Sequence, residues 1–284
     1  MKKVLHTLAI LLLLGIALPG LAQGRKVIYL QSYDKAPYHF GFLLGANFMG
    51  YSIQTVEGYQ NIVYDKSYLP KPETYDENNP DLFSGFSDSL VSHFNINKVE
   101  SDRIFKNFGF SVGVIGDMTL GRYFNLRLSP TLSFGWRKVL YDVTIYDANG
   151  AVIPHLGNPD SEDKLCTYVE LPLHFKYRSK RYNNVGAYLI GGINPKLYLF
   201  SRQKATSVTS AAPKYLLPNR LDVALEFGAG YDIYNQWFKM GIELKAGFGI
   251  LNLLRDDPVY QDYLFQAPIN KLNSRQIQLS FTFE

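Results

Sequence analysis

Residues 167–179 read TYVELPLHFKYRS, and the strict alternation in that run constrains the chain more than any other feature. Side chains on an extended strand point to opposite faces with a period of two. Val169, Leu171, Leu173, Phe175 and Tyr177 therefore share one face, while Glu170, Pro172, His174, Lys176 and Arg178 share the other. A soluble sandwich strand can alternate this way, but its charged side then faces open water. After the polar turn 180–184 the pattern repeats. Val185, Ala187, Leu189, Ile193 and Leu197 alternate with Gly186, Tyr188, Gly192, Asn194 and Lys196. A two-faced strand is thus the unit of construction.

Six more strands follow the same rule. In 38–54, Phe40, Phe42, Leu44, Ala46 and Phe48 oppose His39, Gly41, Gly45 and Asn47; in 106–119, Phe108, Phe110, Val112 and Val114 share a face. The third strand sets Phe124, Leu126, Leu128, Leu132, Phe134 and Trp136 against Asn125, Arg127, Ser129, Thr131, Ser133 and Arg137. Past Trp136 its phase slips to Val139, Tyr141, Val143 and Ile145, which reads as a bulge at a barrel rim, with a hairpin tip at 147–150. Strands at 221–231 and 238–248 are separated by a turn at 232–236, and Ile277, Leu279, Phe281 and Phe283 make the last apolar face.

The connections alternate long and short, with long polar stretches at 55–105, 139–166, 201–220 and 251–273; the first shows no convincing periodicity. Outer-membrane barrels have long outer loops and short periplasmic turns. The expected fold is all-β: an eight-stranded antiparallel up-and-down transmembrane β-barrel with long extracellular loops and short periplasmic turns. Eight strands enclose just enough space for side chains, so the interior should be a packed plug.

Lys plus Arg number 29 against 25 Asp plus Glu, and the basic residues form no stripe that would track phosphates, so nucleic acid is excluded as a partner. The 21 Tyr and 19 Phe suit interfacial girdles, although a carbohydrate-binding sandwich could also use them. Trp136, Trp237, Tyr123, Tyr182 and Tyr231, near strand ends, are the expected girdle residues. Lys2 and Lys3, the apolar run 4–18 and Gly20-Leu21-Ala22 read as a signal peptide over 1–22, leaving 23–284 as the barrel domain. Cys166 is the single cysteine, which excludes an intramolecular disulfide; it is expected at a strand mouth.

The inward faces carry Arg127, Arg137, Glu170, His174, Lys176, Arg178, Asp222, Glu226, Lys239, Glu243 and Lys245. Glu226 and Glu243, on adjacent strands, could work as acid and base. A structural charge network built on Arg127, Glu170, Lys176, Asp222, Glu226, Lys239, Glu243 and Lys245 is the stronger expectation, because buried charges must be paired. His39, His93, His155 and His174 are too scattered for a metal motif. His93 and His155, beside Ser92 and Asp160, keep an outer-membrane lipid acyltransferase or esterase in view. The glycines at 41, 45, 109, 113, 135, 241 and 247 open no helix and so make no phosphate loop; they leave room for long interior side chains. Neither cofactor, metal nor small-molecule substrate is expected, and outer-membrane lipids are the expected surroundings.

The Glu-Leu-Pro-Leu core at 170–173, the pair Lys176-Tyr177 and the Gly-rich strand 187–193 resemble the eight-stranded outer-membrane barrels of the Bacteroidetes lineage. HFGFLLGANFMGYSI at 39–53 and RQIQLSFTFE at 275–284 narrow the resemblance to the PorT/SprT family of the type IX secretion system. That resemblance implies a non-enzymatic component required for cargo export and, in gliding species, for delivery of surface adhesins. Assembly or scaffolding is the role it suggests, with other secretion-system proteins of the envelope as partners. An outer-membrane lipid-modifying enzyme and a small adhesin or receptor barrel are the alternatives.

Overall fold

The computed structural model describes residues 27–65, 91–153, 164–199, 218–254 and 266–284. The signal peptide expected at 1–22, and His155 with Asp160, lie outside them. The strands in chain order are β1 (Tyr38–Thr55), β2 (Val63–Asp65), β3 (Val91–Ser101), β4 (Phe108–Thr119), β5 (Phe124–Leu128), β6 (Thr131–Arg137) and β7 (Val139–Asp147). They continue with β8 (Val152–Ile153), β9 (Lys164–Glu170), β10 (Leu173–Arg178), β11 (Val185–Tyr198), β12 (Leu221–Tyr234), β13 (Lys239–Gly249) and β14 (Ile269–Phe283).

Ten of these form one antiparallel sheet. β5 and β6 are two halves of one stave interrupted at Ser129-Pro130, and β10 and β9 are halves of its neighbour interrupted at Leu171-Pro172. Proline has no N–H to give to a ladder, so each strand breaks there. The register passes straight through both breaks. β4 pairs Gly116 with Leu128 and Gly113 with Thr131, and the two staves pair Leu128 with Leu173 and Thr131 with Glu170. Counted by stave, the pairings run β1, β4, β5/β6, β10/β9, β11, β12, β13, β14, and β14 pairs with β1 again.

The outer face is apolar. Phe40, Phe42, Phe108, Phe110, Val114, Phe124, Phe175, Leu189 and Phe227 are each at least half exposed. The inner face is polar: β14 alone turns Ser274, Gln276, Gln278, Ser280 and Thr282 inward, all buried. A water-soluble protein distributes polarity the other way round. Among the described residues no helix is long and apolar enough to cross a membrane.

A second sheet, ordered β2-β3-β7-β8, rises beyond the first at its loop end. It corrects two expectations. The stretch 55–105 holds β2 and β3, and the phase slip after Trp136 is no bulge within the barrel but the passage of the chain from β6 to β7, one sheet to the next. Val139, Tyr141, Val143 and Ile145 are accordingly buried, together with Phe94, Ile96, Tyr59 and Tyr64, against Tyr51, Leu253, Ile269 and Leu272. The tip expected at 147–150 does form, with the Gly150 N–H donated to the Asp147 carbonyl and Gly150 at φ 79°. Two boundaries also move. β12 runs on through Tyr234, into the expected turn at 232–236, and β14 begins at Ile269, inside the expected loop 251–273. Cys166, near the loop end of β9, is buried and packed among Met49, Tyr168 and Tyr198.

At the opposite end, where short turns join the staves, the segment leading into β1 folds across the opening. The Tyr29 N–H donates to Asn184 Oδ1, Arg181 donates to the Tyr29 carbonyl, and Asp34 lies 3.3 Å from Arg178 and 3.6 Å from Arg181. Tyr33 stacks on His39 at 3.9 Å and donates its hydroxyl to Glu284 Oε2.

Candidate functional site

Burying a charge inside a protein is tolerated only where an opposite charge and hydrogen bonds replace water. The barrel interior meets that condition in layers. In the layer nearest the turns, Arg127 on β5 reaches three carboxylates: Asp117 on β4 at 3.0 Å, Glu284 at 3.0 Å and Glu243 on β13 at 3.2 Å. Lys239 takes Glu284 at 2.8 Å and stands 3.8 Å from Asp232, whose other cation is Lys176 at 2.7 Å. Tyr188 lies beneath Lys176, its ring centroid 3.7 Å from the ammonium, and donates its hydroxyl to Glu243. Gly230 makes that ring position available, since a Cβ there would come within 2.6 Å of the Tyr188 hydroxyl. Burial first, and then the Glu284 carboxylate, push the Tyr33 phenol far above its ordinary range, so the docked segment presents a neutral hydroxyl to the network.

The middle layer is centred on Glu226 of β12. It meets His174 at 3.0 Å, Lys245 at 3.1 Å and Lys196 at 3.6 Å, and accepts from the Asn194 amide. The same amide donates to Glu170, which lies 3.7 Å from Lys196. Lys196 also donates to Gln276. Nearest the loops, Ser274 donates to Asp222, and Arg137 donates to the Tyr168 hydroxyl.

All eight residues expected in the network are buried. The structure divides them among layers: Arg127, Lys176, Lys239 and Glu243 in the first, Glu170, Glu226 and Lys245 in the second, Asp222 in the third. Glu226 and Glu243 are not brought together as an acid and base. Their register partners are Gly247 and Gly230, four positions apart along the ladder, and each carboxylate is held by its own cations. Asp117, Lys196, Asp232 and Glu284 belong to the network but were not singled out as charges. Parity alone identifies them: Asp232 continues the inward series of Asp222 and Glu226, and Glu284 continues Ser280 and Thr282. Arg178, expected inside, lies at the turn end against Asp34.

His93 lies on β3 of the second sheet, 3.3 Å from the Ser92 hydroxyl and stacked on Tyr146 at 4.9 Å. Among the described residues no three His, Cys, Asp or Glu side chains are grouped to hold a metal ion. Each described interior carboxylate has a cation within 4.0 Å or a hydrogen-bond donor, so the arrangement cross-links staves.

Residues 22–255 match the family model described as outer membrane protein beta-barrel domain. No curated protein matches the chain.

Proposed function

This chain belongs to the outer membrane protein beta-barrel domain family, and we propose that its ring of eight staves is a closed transmembrane barrel serving the type IX secretion machinery as a non-enzymatic component. The observation that carries the non-enzymatic part is the engagement of five of the six buried cations with carboxylates: a plug built this way neither conducts cargo nor leaves a base poised beside a nucleophile. The resemblance of 39–53 and 275–284 to the PorT/SprT family supports the secretion role, including adhesin delivery in gliding species. Export through a cleaved signal peptide over 1–22 goes with it. A filled barrel acts through its ends, so assembly or scaffolding of envelope partners is the role we assign.

A deletion strain should accumulate unprocessed cargo inside the cell. A copy carrying His93→Ala and His155→Ala should restore export. Normal secretion in the deletion strain ends the type IX reading; a double-alanine copy that inserts but does not rescue returns the lipid-modifying enzyme to first place. Tags within 66–90 or 200–217 should be labelled on intact cells and tags at Arg181 or Asn235 should not.

A further inference from the structure

Six Lys and Arg side chains are buried in the barrel: Arg127, Arg137, Lys176, Lys196, Lys239 and Lys245. Five have a carboxylate within 4.0 Å. Arg137, 2% exposed at the loop end of β6, has none among the described residues. Tyrosines hold it in place. Nη1 donates to the Tyr168 hydroxyl at 2.9 Å, and the guanidinium lies over the rings of Tyr168 at 4.8 Å and Tyr51 at 5.1 Å. Nε and Nη2 are left without a hydrogen-bond partner among the described residues. Those two nitrogens form one edge of the guanidinium, the edge that pairs with both oxygens of a carboxylate through parallel hydrogen bonds. Tyrosine faces soften the loss of hydration around a cation but do not replace hydrogen bonds to its N–H groups.

We propose that the Nε–Nη2 edge of Arg137 anchors a binding site for a single carboxylate group, inside the loop end of the barrel and beneath the second sheet. The walls are Met49, Cys166, Tyr168 and Tyr198, with the Tyr51 ring over the guanidinium. Asp222 shares that layer and disfavours a dianion, so the site prefers a carboxylate to a phosphate. A spherical halide cannot use both nitrogens of the edge at once.

The test uses the whole mature protein, folded in detergent micelles and labelled with nitrogen-15, and follows the Arg137 Nε resonance. Acetate should shift it saturably, while chloride and acetamide at the same concentration should not, and inorganic phosphate should bind at least about tenfold more weakly. N-acetylglycine against its amide separates the sources: tighter binding of the free acid than of acetate points to a peptide terminus, equal binding to a free small acid. Arg137→Lys keeps the charge but loses the edge, and should weaken acetate at least about tenfold, the effect of one lost charge-assisted hydrogen bond. Should that variant fail to fold, Tyr168→Phe, which frees Nη1 from its fixed position, should also weaken acetate. A resonance that ignores acetate, or moves equally with chloride, overturns the proposal.

Discussion

The barrel interior and the core of the second sheet share one continuous run of chain, β6 into β7, yet they satisfy burial in opposite ways. Along β6 the buried residues are Thr131, Ser133, Gly135 and Arg137, with Trp136 outside; along β7 they are Val139, Tyr141, Val143 and Ile145, with Asp142 outside. Polarity inverts across one residue, Lys138. On β6 the apolar side is the exposed one and on β7 it is the buried one, as a strand reads when it passes from an inside-out barrel into an ordinary packed sheet. Below it, stability rests on ion pairs that a hydrophobic exterior keeps dry; above it, on ordinary apolar packing.

That contrast can be broken from either side. Arg127→Met should be the most damaging single change, because one guanidinium serves Asp117, Glu243 and Glu284. Breaking a buried pair from one side costs about 3–5 kcal/mol, and here Asp117 and Glu243 lose their only cation within 4.0 Å among the described residues, while Glu284 keeps Lys239. The folded band on unheated gels should vanish at temperatures the parent survives, and a parental midpoint would refute the dry-network account. Glu226→Ala should cost about 3–5 kcal/mol, and adding Lys245→Met should recover much of it in the same assay. Ile145→Ala should cost about 2–5 kcal/mol in the upper core only. Protease should then cut the second sheet faster while the heat-modifiable barrel band stays unchanged; a shift of both would mean the two regions are one cooperative unit. Lys98→Ala should change neither readout, because its pair with Glu100 at 2.9 Å is solvent-exposed on both sides.

Period-two alternation made most of the barrel legible: every stave was found, and the inward faces of β12 and β13 were read correctly. The second sheet was hidden for a physical reason. β3 pairs with β7 through a register shift between Ile96 and Lys98, so its buried residues fall at Phe94, Ile96 and then Val99, and the alternation breaks in mid-strand. With Tyr64 on a three-residue strand, nothing periodic was left to read. In the interior, composition located the charges but not their partners, because register across staves decides whether Glu226 meets Lys245 or Glu243. Arg137 belongs to the inward face by parity; that no carboxylate among the described residues lies within 4.0 Å of it needed the three-dimensional neighbourhood.

The segment ahead of β1 carries a consequence for the order of events during folding. Its contacts are among the most distant in the chain: Tyr29 to Asn184 spans 155 residues, and Tyr33 to Glu284 spans 251. Closing such long loops by themselves costs more entropy than a few polar contacts return. Those contacts can therefore form only once the intervening staves have already brought both partners together. Docking of this segment is a late event, and its protection from exchange reports a barrel whose first, middle and last staves are all in place.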